Sequence, residues 1–125
     1  VIDVWWLAAQ ILAGGLGAVA RYGVMSIVRP GAWSWGLFAV NAGGSLMAGA
    51  AVGAFTVNAL DWSFVALVLG FAAGFTTLST LTVTAAQHIE RREIRTGAFI
   101  VTSQVVVGIG LAAVGYISSS MLLGA

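Results

Sequence analysis

Charged side chains divide the chain into four uncharged runs, at 4–20, 30–60, 62–89 and 96–125. A helix needs about 20 apolar residues to cross the hydrocarbon core of a bilayer. The pattern therefore predicts four transmembrane helices, near 4–27, 33–58, 62–87 and 97–122. They use nearly all of the 125 residues, which reads as one four-helix domain over 1–125 with no room for a soluble catalytic unit. The first run is not expected to be a signal peptide, because no basic leader precedes it and no polar mature domain follows. The third run stands apart. Gly70 and Gly74 are followed by Thr76, Thr77, Ser79, Thr80, Thr82 and Thr84, which occupy nearly every face of a helix. Hydroxyls gain nothing from lipid. Two readings stay open: each bonds back to the preceding turn, or the helix breaks there and lines a polar path.

Composition strengthens the membrane reading. Only 7% of residues are charged against 60% hydrophobic, with a mean hydropathy of +1.03; a soluble domain carries roughly 25% charged residues. Trp5, Trp6, Trp33, Trp35 and Trp62 all fall near predicted helix ends, as an interfacial aromatic belt requires. Among the seventeen glycines, Gly49-x-x-x-Gly53 and Gly70-x-x-x-Gly74 have the spacing that lets membrane helices approach closely. With no cysteine, neither a disulfide framework nor a thiolate metal site is available. The single His88 is read as an interfacial residue rather than a ligand, because no partner ligands surround it in the sequence.

Charge placement predicts an orientation. All five basic residues are arginines. Arg29 lies in loop 1–2, Arg91, Arg92 and Arg95 lie in loop 3–4, and Arg21 lies toward the same end of helix 1. The opposite side carries only Asp3 and Asp61. By the positive-inside rule, loops 1–2 and 3–4 are cytoplasmic and both termini are outside. The expected location is the inner (plasma) membrane, with lipid rather than nucleic acid as the surroundings.

No catalytic constellation is present. Asp3, Asp61, Glu90 and Glu93 all lie in loops or at an end, whereas proton-coupled carriers place an ionisable group within the membrane. Arg21 is too strong a base to release its proton. It either snorkels along about 12 Å of helix to the loop or supplies an electropositive group at a pore vestibule. Asn41 follows four apolar residues in helix 2 and must find partners or line water.

Three segments together resemble the small fluoride channels of the Fluc (CrcB) family. They are Gly14-Gly15-x-Gly17-Ala18-x-x-Arg21-Tyr22, Val40-Asn41-x-x-Gly44-Ser45 and Gly74-Phe75-Thr76-Thr77-x-Ser79-Thr80. The resemblance implies an all-α integral membrane protein with a broken helix 3, assembled as an antiparallel, dual-topology dimer with two narrow fluoride pores. It implies a sodium ion at the dimer centre, held by backbone carbonyls of Ala73 and Thr76. Asn41 would donate to fluoride, Ser79 and Thr80 would lie along its path, and Arg21 would organise a vestibule. A dry pore must replace the water of this small anion with N–H, O–H and polarised C–H donors, and an aromatic ring edge can serve as one.

The chain departs from that pattern in three places. Leu78 and Leu81 stand where the family has two pore-lining phenylalanines, which removes two electropositive ring edges. Gly36-Leu37-Phe38 replaces a segment that carries a pore-side hydroxyl. In helix 4, Gln104 is the only obvious substitute for a line of hydroxyls or a tyrosine. Lost pore groups and one-sided arginines together predict half of a heterodimer, paired with a homologous subunit of opposite topology, in preference to a homodimer. Two other classes compete. A small multidrug-resistance transporter needs a membrane-embedded glutamate in helix 1, which is absent. A non-conducting membrane assembly subunit is kept alive by the leucine substitutions.

Overall fold

The computed structural model describes residues 3–29 and 34–125, so Trp33 lies outside the described residues. Five helices follow in order: α1 Val4–Ile27, α2 Trp35–Thr56, α3 Trp62–Phe75, α4 Leu78–Glu90 and α5 Ile94–Leu123. With α3 and α4 taken together, four segments are long and apolar enough to cross a membrane. No strand occurs among the described residues.

Local chemistry sets most of the helix ends. The Asp3 carboxylate accepts from the Trp5 N–H at 3.0 Å, and Asp61 accepts from the Phe64 N–H at 3.0 Å. These bonds satisfy amides that the first turn leaves unpaired. Helix α2 stops at Thr56, short of the expected 58, because Asn58 takes a left-handed conformation with φ of 57°. Asparagine tolerates this better than most residues. The turn joining α4 and α5 is tighter than expected. Arg92 supplies its left-handed residue (φ 62°), so α4 runs on to Glu90 and α5 already starts at Ile94. At roughly 45 Å, α5 exceeds a hydrocarbon core of about 30 Å.

Helix α2 lies along α5 and α1 along α3, with α2 also touching α3 and α4 resting on α5. Both long seams are built on the glycine pairs. Along α2, Gly49 meets the Ala112 backbone and Gly53 meets Tyr116; along α3, Gly70 meets Gln10 and Gly74 meets the Gly14 carbonyl. A methyl group at Gly49, Gly53 or Gly74 would overlap backbone atoms of the facing helix. Close backbone approach is what binds helices where the solvent is as apolar as their side chains.

A small apolar cluster of Leu37, Leu81 and Ile100, with Val101 against it, closes the end that carries the arginines. Ser34, at the start of α2, lines a polar cavity there with His88, Arg91 and Glu93. The start of α2 and the turn joining α4 to α5 therefore share one end of the bundle. The outer faces are apolar: Leu12, Leu16 and Val19 on α1 and Val106 and Ile109 on α5 are all exposed.

Candidate functional site

Between α3 and α4 the backbone leaves helical geometry for two residues. Thr76 has φ −82°, ψ 163° and Thr77 has φ −149°, ψ 115°. A helix interrupted this way strands amides and carbonyls that something else must satisfy. Asn41 satisfies two of them. Its Oδ1 accepts from the Thr77 N–H at 2.8 Å, and its Nδ2 donates to the Thr77 carbonyl at 3.3 Å. The same Nδ2 donates to Gln104 Oε1 at 2.7 Å. One carboxamide thus ties α2 to the break and to α5, and both of its N–H groups are engaged.

Thr77, named in the sequence only as one of the hydroxyl run, has a role of its own. It is buried and caps α4, its Oγ1 accepting from the Thr80 N–H at 3.3 Å. The available signal was a Thr, a favoured N-cap residue, immediately before the run that begins at Leu78. Its hydroxyl also lies 3.1 Å from Thr80 Oγ1 and 3.2 Å from Ser79 Oγ. The hydroxyl run consequently divides. Thr82 and Thr84 bond back to the Leu78 and Thr80 carbonyls at 2.9 and 2.8 Å, while Thr76, Thr77, Ser79 and Thr80 serve the break.

Arg21 has a specific partner at the break. Its Nη1 donates to the Thr76 carbonyl at 2.9 Å, across 55 residues of sequence. The guanidinium has no ion-pair partner among the described residues and finds the carbonyl that the extended backbone releases. A charge-assisted bond of this kind is stronger than a neutral one. Ala73 is exposed, and among the described residues its carbonyl receives only the Thr76 hydroxyl at 3.4 Å, because the Thr77 N–H that would bond it in a continuous helix has gone to Asn41. Ala73 and Thr76 line one cavity of about 300 Å³, with Gly44 and Ser45 on the facing helix.

A larger groove of about 420 Å³ opens on the other side of the break. It gathers Asn41, Leu78, Leu81 and Gln104 from the expected ion path, together with Ser45, Thr76 and Thr77. The remaining expected residues lie elsewhere. Ser79 is exposed and lines no described cavity, and Thr80 lines a separate cavity with Arg29 and Trp35. Leu78 is 76% exposed at the groove mouth, whereas Leu81 is buried. The Phe75 ring stacks on Phe71 and lies against Gly43, and Phe75 is not among the residues that line the groove. At the arginine end, His88 Nδ1 pairs with Glu93 Oε2 at 2.7 Å and clasps the α4–α5 turn.

A model of the CrcB-like protein family, described under camphor resistance, matches residues 8–116. The chain belongs to the CrcB family. Its CrcB relatives include the fluoride-specific ion channel FluC of Nitrobacter winogradskyi, 35% identical over 85% of this chain and 89% of that one. The fluoride-specific ion channel FluC 1 of Symbiobacterium thermophilum is 38% identical over 82% and 86%. That of Agrobacterium fabrum, also named FluC, is 35% identical over the same shares. The chain is accordingly a multi-pass membrane protein of an ion-channel family, not an enzyme.

Proposed function

We propose that this chain is a subunit of a fluoride-selective channel that lets cytoplasmic fluoride leave the cell passively. The observation that carries the reading is the groove at the break. Amide and hydroxyl groups of Asn41, Ser45, Thr76, Thr77 and Gln104 meet there within otherwise apolar walls. The groove presents no cationic side chain, which suits brief N–H and O–H contacts to an anion that must also leave. The names of the CrcB relatives point the same way. Efflux from liposomes containing the purified chain, with chloride as the control, tests it. Fast fluoride-selective efflux supports a channel that pairs with itself. Transport driven by a drug gradient would favour the multidrug-carrier class instead.

The assembly we favour is an antiparallel dimer, with the arginine-bearing end of this chain cytoplasmic. Arg29, Arg91, Arg92 and Arg95 share that end, and such a bias disfavours insertion of one sequence in both directions. A homologous subunit of reversed arginine bias would then complete the pore, and rings missing at Leu78 and Leu81 could be supplied by that partner. Co-purification of such a subunit supports the heterodimer. A stable homodimer holding both orientations would sink it.

A sodium ion fits the break. Ala73 and Thr76 line one cavity, and their carbonyls are hard oxygen donors freed from helical backbone bonding. They form half a ligand set, so a second subunit would supply the rest. The Arg21 guanidinium on the Thr76 carbonyl opposes extra positive charge, which favours a monovalent over a divalent ion. When bound, the ion would hold the two breaks together and lend positive potential to the nearby anion path.

A further inference from the structure

The arginine-bearing end of the bundle holds a charged cavity separate from the groove at the break. We propose that it seats the headgroup of an aminophospholipid, a lipid bearing both a phosphate and a primary ammonium. Arg91 takes the phosphate and Glu93 takes the ammonium.

The cavity measures about 390 Å³, within the roughly 300–1,000 Å³ of small-molecule sites. It lies between the start of α2 and the α4–α5 turn, and Ser34, Gln87, His88, Arg91, Glu93 and Thr96 line it. Most of its polar groups are uncommitted. Arg91 has no ion-pair partner among the described residues, and the side chains of Ser34, Gln87 and Thr96 make no hydrogen bond to them. Glu93 gives Oε2 to His88 Nδ1 at 2.7 Å, which leaves Oε1 open. A carboxylate accepts at both oxygens.

The mixed charge decides the class of ligand. A fixed carboxylate on the wall disfavours a simple anion, and a fixed guanidinium disfavours a simple cation. A zwitterion satisfies both. The guanidinium fork matches phosphate oxygens two at a time, and a primary ammonium has three N–H donors for a carboxylate. The Ser34 and Thr96 hydroxyls and the Gln87 amide are left for the remaining phosphate oxygens.

Position decides its source. Trp35, 60% exposed, marks the interfacial level at this end. It lines a neighbouring cavity with Arg29, and Ser34 belongs to both cavities. Ile89 and Ile94, both exposed, flank the α4–α5 turn and offer apolar contact to acyl chains. Around the cavity, Arg29, Arg92 and Arg95 outnumber Glu90, which draws a phosphate toward this end. A lipid seated there would pin the start of α2 to the α4–α5 turn.

Native mass spectrometry of the full chain in detergent tests the proposal. The chain is titrated with phosphatidylethanolamine, phosphatidylcholine or phosphatidylglycerol of matched acyl chains. The choline lipid keeps a positive charge without N–H donors, and the glycerol lipid has no ammonium. The ethanolamine lipid should bind about fivefold more tightly than either, the scale of one partly exposed ion pair. Glu93→Gln keeps an oxygen for His88 and should abolish that preference, whereas Arg91→Gln should weaken all three lipids. Arg95→Gln removes the same charge from a residue that lines none of the described cavities, and should change neither. Helical circular dichroism checks that the variants fold. Equal binding of the three lipids by the wild-type chain overturns the proposal. So does an Arg95→Gln loss as large as that of Arg91→Gln, which would mean diffuse surface charge. Soluble glycerophosphoethanolamine separates the two sources of this headgroup. Displacement of the lipid only at large excess supports a membrane ligand, and displacement at equal concentration overturns it in favour of a free solute. None of these readouts depends on fluoride conduction, so the proposal stands or falls apart from the channel reading.

Discussion

Helix α2 takes part in two junctions whose chemistry is opposite. Toward its C-terminal end it meets α5 through Gly49 and Gly53, backbone against backbone, with Gly115 of α5 returning the contact at Leu46 and Ala50. Toward its middle it meets the α3–α4 break through Asn41 and Gly44, where an amide and a glycine accommodate extended backbone. The first junction has no polar requirement and nothing to move. The second concentrates polar groups on one groove wall. Holding the subunit together and presenting groups to an ion are thus divided along one helix, about two turns apart.

The largest effect is expected where the contact is backbone to backbone. Gly49→Val puts side-chain atoms onto the Ala112 carbonyl, and neither helix can yield without parting the seam. Overpacking in a core costs about 1–3 kcal/mol when side chains can adjust; here the obstacle is backbone, so folded protein should not be recovered from detergent extracts. Gly110→Ala, where an added methyl meets nothing within 4 Å, is the matching control and should unfold like wild type. Equal behaviour of the two variants would show that α2 and α5 are not held by close approach.

Asn41→Leu comes next. It deprives the Thr77 N–H and carbonyl of their partners at a buried position. At about 1–3 kcal/mol per stranded group, the loss should be roughly 3 kcal/mol in detergent-unfolding experiments, and fluoride efflux should vanish. Asn41→Asp keeps an acceptor for the Thr77 N–H and gives up both donors. It should therefore retain more stability than the leucine variant while still losing efflux. The contrast with Gly49 would collapse if Asn41→Leu left unfolding unchanged.

Arg21→Met should have a smaller consequence. It removes one charge-assisted bond to the Thr76 carbonyl from a half-buried side chain, a loss of ~1 kcal/mol. Arg21→Lys should recover part of it, since an ammonium reaches fewer geometries than the planar fork. If sodium occupies the break, the methionine variant should bind it more tightly, because a neighbouring positive charge has gone. Thermal stabilisation by sodium chloride relative to choline chloride measures this, and unchanged sodium dependence would separate Arg21 from the ion.

The two junctions also differ in how far the sequence discloses them. Uncharged runs and paired glycines are local patterns, so the four membrane-length segments and the seam glycines Gly49, Gly53, Gly70 and Gly74 could be read directly, though not the helices they face. The polar junction depends on pairings over distances that no local pattern encodes. Asn41 and Gln104 are 63 residues apart, and Arg21 and Thr76 are 55 apart. Asn41 stood out because a carboxamide in an apolar helix needs partners, yet nothing in the sequence named them. Arg21 was legible as costly but not as directed inward. The hydroxyl run concealed a division of labour, since residues two apart turn out either to bond back along α4 or to secure the break.

Leu78→Phe probes the polar side where the fold has least at stake. Leu78 is 76% exposed, so the change should alter subunit stability by no more than about 0.5 kcal/mol. Its position at the groove mouth lets a ring edge face the path that Asn41 and Gln104 border. An electropositive edge is worth about 0.5–1.5 kcal/mol in favourable aromatic contacts, or roughly two- to tenfold in rate. Fluoride efflux should therefore rise by that factor in vesicles where wild-type efflux is measurable, with chloride flux unchanged. Leu81→Phe is a poor substitute for this test, because Leu81 is buried against Leu37 and Ile100 and a larger ring would strain that cluster. No gain from Leu78→Phe would mean that the leucine-lined groove already meets the anion adequately through its amides, which places the whole burden of selectivity on the polar junction.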